Sequence, residues 1–288
     1  MITFIVNPAA GNGISLKAES MITEQMVKHP EYAYCIKHTE HPGHATTLAA
    51  EAVHNGAEAV IAVGGDGTCF EVTCGLMGST TPLGIIPAGT GNDFIKSAGI
   101  PAKPEDALRH ILTHKPQAVD VCQLNHRLFL NVCGAGFDVT VLDYTLDAKK
   151  HFRGIVPYLI GLIKGIFHYH PLHVRVTVDG KVEERDTLIC AVANGRFIGG
   201  GIPICPVADI TDGKLNMVMV EHKPRWMIPF YLPALMMGRV LNFRITKHLL
   251  CERVEIDSPG MRLQADGEIM TMDRADVSIL KKQLMLFC

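Results

Sequence analysis

The chain has 288 residues, enough for one large or two ordinary domains, with 48% hydrophobic and 19% charged residues. A formal net charge of −2 leaves no basic excess to neutralise a phosphate backbone, which excludes nucleic acid as the main partner. The nine cysteines contain no Cys-x-x-Cys pair, and no run reaches the roughly 18 apolar residues that span a bilayer. The opening MITFIVNP already reads as a strand, so reduced thiols and a cytoplasmic location are expected.

Ile2 to Val6 is a short apolar strand, and Asn7-Pro8-Ala9-Ala10-Gly11-Asn12-Gly13 is a turn-rich loop directly after it. That loop can offer backbone N–H groups to phosphate, but no Gly-Lys-Ser/Thr follows, so it is not a P-loop. Helical spacing runs from Ser15 to Lys28, a strand from about Ala33 to Lys37 ending at Thr39, and a helix through Leu48 and Val53 that stops at Asn55-Gly56.

The stretch AVIAVGGDGT, Ala59 to Thr68, is the most informative. Its apolar half has the length and β-branching of a buried parallel strand. Gly64, Gly65 and Gly67 permit positive φ and close backbone approach to a ligand, and Thr68 is placed to cap the next helix. Asp66 lies at the carboxyl end of a strand, where open α/β sheets bind ligands. A carboxylate facing phosphates is useful mainly with a divalent cation between them, so Asp66 reads as a Mg²⁺-side acid. A helix through Phe70 and Leu76 follows, then a strand from Leu83 to Ile86, then a second glycine loop, Pro87 to Asp93. The β-α alternation implies a doubly wound parallel sheet.

After Lys115-Pro116 the pattern turns to strands: 119–124, 128–132, 174–178, 188–193, 215–220, 253–257, 261–265 and 277–280. Hairpin turns are expected at Asp179-Gly180 and Asp212-Gly213. Helices are expected over 158–167 and 227–239. The Trp226 to Met237 run reads as a buried helix pair in preference to a membrane-facing patch. The boundary falls near residue 119, giving an α/β domain over 1–119 and a β-rich domain over 120–288. Asp209 and Asp212, three apart around a Gly turn, can ligate a hard cation with a backbone carbonyl completing the shell, and a plain Asp-Gly turn is the alternative.

NPAAG at Asn7 to Gly11, GGDGT at Gly64 to Thr68, PAGTGNDF at Pro87 to Phe94, GFD at Gly136 to Asp138, NGRFIGGG at Asn194 to Gly201 and DGE at Asp266 to Glu268 occur in this order. Together they resemble the diacylglycerol/lipid kinase catalytic family, related to sphingosine kinases. The resemblance implies an NAD kinase/phosphofructokinase-like first domain and a β-sandwich-like second domain. It also implies ATP-dependent phosphorylation of a lipid hydroxyl, diacylglycerol before a sphingoid base, with the nucleotide between the domains. Asn7, Pro8, Ala9, Ala10, Gly11, Thr39, Gly64 to Thr68, Thr90 and Asn92 would cradle ATP. Asp66 and Asp93 would hold catalytic Mg²⁺, and Glu268 would be the general base, since an alcohol must lose its proton as the P–O bond forms. The 209–214 segment resembles a structural Mg²⁺ site using Asp209, Asp212 and the Lys214 carbonyl. The expected partner is lipid at a membrane surface in transient contact, and a homodimer is admitted. One departure stands out: Cys69-Phe70-Glu71 occurs where the family usually has Leu-Asn-Glu. An NAD kinase is the alternative enzyme, disfavoured by PAGTGNDF. The non-enzyme alternative is a nucleotide-binding regulator, and the intact glycines, Asp66 and Glu268 argue against it.

Overall fold

Ile2–Val6 (β1), Tyr34–His38 (β2), Ala59–Gly64 (β3) and Leu83–Pro87 (β4) form a parallel sheet in the order β4-β3-β1-β2 in the computed structural model, which describes residues 1–152 and 156–288. All residues of β1, β3 and β4 are buried, as expected where helices cover both faces. The helices Ile14–Met26 (α1), His44–His54 (α2), Asp66–Leu76 (α3), Asp93–Ser97 (α4) and Pro104–Thr113 (α5) connect and follow these strands. α1 lies beside α5 and α2 beside α3, one pair on each face. α3 approaches α2 so closely that a Cβ on Gly75 would fall 2.4 Å from the Thr46 carbonyl oxygen.

The first compact unit is Met1–Val121 together with Ile210–Gly213 and Leu280–Cys288. A single boundary at 119 therefore misassigns those two later segments. Their inclusion has a local cause. Asp120, fully buried in Gln117–Leu124 (β5), accepts the N–H of Gly213 at 2.7 Å and of Lys282 at 2.8 Å. Further along, the Phe287 N–H donates to the Leu83 carbonyl at 3.0 Å.

The second unit, Cys122–Asp209 with Lys214–Ile279, is mostly antiparallel. Its elements are Arg127–Phe129 (β6), Val132–Gly136 (β7), Phe137–Ala148 (α6), Val156–His168 (α7), Leu172–Val178 (β8), Lys181–Ala193 (β9), Leu215–Glu221 (β10), Ile228–Met236 (α8), Thr246–Cys251 (β11), Arg253–Ala265 (β12) and the start of Glu268–Leu286 (β13). Two long strands bend. β9 pairs with β8 over its first half and with β7 over its second, and β12 does the same across a register shift between Asp257 and Met261. The layers so formed enclose a core that includes Cys133, Val192, Met217, Val254 and Leu263, the sandwich architecture expected. The opposite face of β7, β9 and β10 is covered by α6, α7 and α8 through Phe137, Leu162, Ile166 and Ile228.

Several expected elements differ. The strand expected over 128–132 is broken into β6 and β7 at Leu130-Asn131, because the Asp266 carboxylate takes their N–H groups. The strands expected over 253–257 and 261–265 are one element, continued through the irregularity around Pro259-Gly260. The Asp179-Gly180 turn joins β8 to β9 with both φ positive (50° and 75°), whereas Asp212-Gly213 joins no hairpin and leads into β10. The Trp226 to Met237 run is fully buried only at Ile228: Trp226 is 71% and Phe230 76% exposed.

Candidate active site

β3 lies between β1 and β4, so the loops after these three strands open on the same edge of the first unit. They interlock. A Cβ on Gly11 (φ 61°) would fall 2.0 Å from the Ala88 carbonyl oxygen, so only glycine admits the approach of the first loop to the third. A Cβ on Gly89 would fall 2.5 Å from the Gly65 Cα, closing the second loop on the third. Asn7 ties the first to the second: its Oδ1 accepts the Ala9 N–H at 3.0 Å and its Nδ2 donates to Thr68 Oγ1 at 3.1 Å. Thr68 is thus a buried residue inside α3, not the cap expected; Gly65 holds the N-cap position. Gly64, Gly65 and Gly67 do not adopt positive φ either. The smallness of Gly64 and Gly65 serves packing, since a Cβ on Gly64 would meet Thr68 Oγ1 at 2.4 Å and one on Gly65 the Gly89 Cα at 3.2 Å, while a Cβ on Gly67 would meet nothing within 4 Å.

Asp66 and Asp93 meet across these loops. Asp66 Oδ1 accepts the Phe94 N–H at 3.3 Å, and Asp93 accepts from Lys96 Nζ at 3.1 Å. Burial first, and then the charge of Asp93, raise the Asp66 carboxyl above its ordinary value, against the N–H groups of Phe94, Asn92 and Asp93 that lower it. A buried carboxylate whose charged form is disfavoured, with a second carboxylate close by on a glycine-lined edge, suits a bound cation. Asn92 (φ 49°) turns the third loop and donates to the Gly89 carbonyl at 2.9 Å, and Thr90 is exposed beside it. The Thr39 N–H donates to the Val6 carbonyl at 2.9 Å, which sets it at the same end of the sheet. Glu71 accepts the Gly43 and Ala45 N–H groups at 2.9 and 3.1 Å, anchoring the start of α2.

The second unit carries the other half of the expected chemistry. Asp266 (φ 48°) and Gly267 (φ 90°) form the two-residue turn between β12 and β13. The Asp266 carboxylate accepts the N–H groups of Leu130, Asn131 and Val132 at 2.6, 3.0 and 3.2 Å, so this acid builds the turn. Glu268 beyond it is exposed and ion-paired with Arg127. The buried Asn194 of the NGRFIGGG segment donates to the Leu130 carbonyl at 2.7 Å, and Asn131 donates to the Phe197 carbonyl at 2.5 Å. The DGE turn and the NGR loop therefore share one scaffold at residues 130–132.

Asp138 of the GFD motif is an acid whose chemistry the spacing did not reveal. Its Oδ1 is buried without a hydrogen-bond partner among the described residues, and Gln264 Nε2 reaches Oδ2 at 3.5 Å. Burial pushes its carboxyl up to about 6. A folded-state value above the unfolded one means stability that is full below about pH 4 and lost as pH rises through about 6. Asp138→Asn is expected to flatten that fall and to stabilise the protein at pH 8 by on the order of 3 kcal/mol relative to wild type. Urea unfolding at about pH 4 and about pH 8, at the two ends of the window, measures it.

Asp209 and Asp212 are exposed, and Lys214 Nζ pairs with Glu252 at 2.6 Å, leaving its carbonyl as the donor of interest. Among the described residues no group of three or more His, Cys, Asp or Glu side chains is placed to hold a metal ion. Two carboxylates and a carbonyl are the oxygen donors Mg²⁺ prefers, and fit only an ion that keeps several waters. If a cation binds there, Asp212→Ala lowers the melting temperature in Mg²⁺ and erases most of the Mg²⁺-dependent rise. Thermal unfolding with and without Mg²⁺ measures this, and an unchanged Mg²⁺ response reduces the segment to a loop.

With these loops described, the class is a parallel α/β unit with glycine loops joined to a β-sandwich-like unit, and comparison with known proteins gives the family. Residues 1–124 match the diacylglycerol kinase catalytic domain, and residues 131–288 match the YegS C-terminal NAD kinase beta sandwich-like domain. The diacylglycerol kinase of Bacillus subtilis (strain 168) is 30% identical over 278 residues, 92% of this chain and 88% of that protein. The diacylglycerol kinase of Mycobacterium tuberculosis (strain ATCC 25618 / H37Rv) is 29% identical over 99% of this chain and 94% of its own length. A crystal structure of a diacylglycerol kinase from Bacillus anthracis str. Sterne shares the fold, with a TM-score of 0.76 at 24% identity over 99% of this chain and 96% of that one. An NAD kinase from Archaeoglobus fulgidus, in complex with ATP, is a more distant fold relative, with a TM-score of 0.55 at 15% identity over 100% and 94%. The chain belongs to the diacylglycerol kinase-like family of lipid kinases.

Proposed function

We propose that the protein transfers the γ-phosphoryl group of ATP, with Mg²⁺, to the hydroxyl of diacylglycerol or a closely related lipid alcohol. The observation that carries this reading is the approach of Asp66 to Asp93 across three interlocked glycine loops. Asn7 to Gly11, Thr39, Gly64 to Thr68, Thr90 and Asn92 are assigned to hold the nucleotide. Asp66 and Asp93 are assigned to the cation, whose contribution when bound is to offset phosphate charge. Glu268 is assigned to accept the proton of the acceptor hydroxyl, and its pairing with Arg127 sets the direction in which its carboxylate waits. Asp266 positions Glu268 by fixing the turn.

The test is incubation with labelled ATP, Mg²⁺ and a panel of diacylglycerol, monoacylglycerol, a sphingoid base and NAD. Label entering diacylglycerol most efficiently supports the proposal. Label entering the sphingoid base first changes the acceptor, and label entering only NAD overturns the lipid reading.

A further inference from the structure

β12 runs into the turn that carries Glu268, and its two sides differ in chemistry. Leu263 and Ala265 belong to the core of the sandwich. Arg262 and Gln264 alternate with them and so point the other way, toward α6. Gln264 is only 5% exposed, and a buried amide costs free energy unless it is hydrogen-bonded. Each of these two side chains meets one acid of α6. Arg262 Nη2 donates to Asp143 Oδ1 at 2.8 Å, and Gln264 Nε2 reaches Asp138 Oδ2 at 3.5 Å. α6 is thereby registered on the last residues of β12 at two points.

Gln264 uses both ends of its amide. While its nitrogen faces Asp138, its Oε1 accepts the Gly267 N–H at 3.0 Å. The reversed amide would set Nε2 against that N–H and an oxygen against a carboxylate. Asp138 thus decides which way the Gln264 amide sits, because an ionised carboxylate only accepts. Gly134 makes room for the acid, since a Cβ there would fall 2.4 Å from Asp138 Oδ2. The fold itself gains little from the charge. Asp138 Oδ1 is buried without a hydrogen-bond partner among the described residues, and burial disfavours the ionised form. An apolar side chain of the same shape would pack there at lower cost.

We propose that Asp138 is a positioning residue for phosphoryl transfer: through Gln264 it holds the Gly267 N–H and so fixes the direction in which Glu268 leaves the turn. The proposal rests on the reading of Glu268 as proton acceptor given above. The turn then has two anchors of different origin. Asp266 ties it to residues 130–132, and Gln264 ties it to α6. Gly267, at φ 90°, is the residue of the turn with the most backbone freedom, so a hold on its N–H counts most. A misplacement of about 1 Å at a reacting group costs on the order of a hundredfold in rate.

The experiment compares the full-length wild type with Asp138→Leu, Gln264→Leu, Gln264→Glu and the double variant Asp138→Asn/Gln264→Glu. Amide hydrogen exchange, followed by NMR, reads the hold on Gly267 without reference to activity. Initial rates with ATP, Mg²⁺ and diacylglycerol give kcat and KM. In either leucine variant, exchange at Gly267 is expected to quicken at least about tenfold, while the Leu130, Asn131 and Val132 amides stay protected by Asp266. The kcat is expected to fall by roughly ten- to a hundredfold with KM for ATP unchanged. Asp138→Leu removes a buried charge, so its melting temperature holds or rises, which separates lost positioning from lost folding. In Gln264→Glu two carboxylates face each other, and kcat falls as well. Adding Asp138→Asn reverses donor and acceptor, keeps an oxygen for the Gly267 N–H, and recovers most of that loss. Where a leucine variant does not fold, the reversed pair decides alone. Unchanged Gly267 exchange in both leucine variants overturns the proposal. Faster exchange with wild-type kcat overturns it too, as does a double variant no better than Gln264→Glu. Faster exchange in a protein whose wild type phosphorylates no lipid alcohol supports the hold on the turn and overturns the acceptor reading instead.

Discussion

Asp66→Ala leaves a folded protein whose phosphoryl transfer falls by on the order of a thousandfold or more, several kcal/mol of transition-state stabilisation. The size follows from position. Asp66 starts α3 at the carboxyl end of the central strand, and burial together with Asp93 already strains its ionised form. Removing it relieves that repulsion, so stability holds or rises while the cation loses a ligand. The pairing of intact or raised melting temperature with lost turnover is the signature, measured by thermal unfolding beside initial rates. Near-normal turnover in the folded variant would remove Asp66 from the chemistry.

Glu268→Gln is expected to lower kcat by roughly a hundred- to ten-thousandfold, the range of a general base, with ATP affinity nearly unchanged. Glutamine keeps the size and much of the hydrogen bonding to Arg127 but cannot take the proton. The fold tolerates the change because the turn is built by Asp266, whose three backbone hydrogen bonds do not involve Glu268. Steady-state rates with saturating lipid and a separate ATP-binding measurement distinguish the outcomes. A parallel loss of ATP affinity would reassign Glu268 to the nucleotide or its cation.

The parallel sheet was legible in the sequence because each strand is a short apolar run stopped by glycine, and local rules suffice for that pattern. The glycine loops were legible as motifs, but their mechanism was not. Gly65 and Gly89 are small because each meets the other, a pairing 24 residues apart that no local pattern displays. Asp120 and Asp266 illustrate the same limit. The partners of each carboxylate are backbone N–H groups from distant segments. A charge inside an otherwise apolar run, as in Ala118-Val119-Asp120-Val121, was the available signal for Asp120. α6 was missed because Phe137-Asp138 reads as a motif before it reads as a helix start. Trp226 to Met237 was expected inside because apolarity favours burial, and only the inner packing of Ile228 reveals which face remains outward.

The return of Leu280–Cys288 to the first unit has a consequence for how the protein is made. Leu286 pairs with Leu83 alongside β4, and the Gln117 side chain donates to the Cys288 carbonyl at 2.8 Å. During synthesis, therefore, residues 1–121 emerge early but wait for more than half of the chain before β4 gains that neighbour. Until then a hydrophobic strand edge stays open on the nascent protein, the condition that invites mispairing and holdase chaperones. The stretch matching the kinase catalytic domain is thus not a module that can be cut out and grafted. A fragment ending at residue 124 would be released with the same edge that the ribosome-bound chain had to shelter.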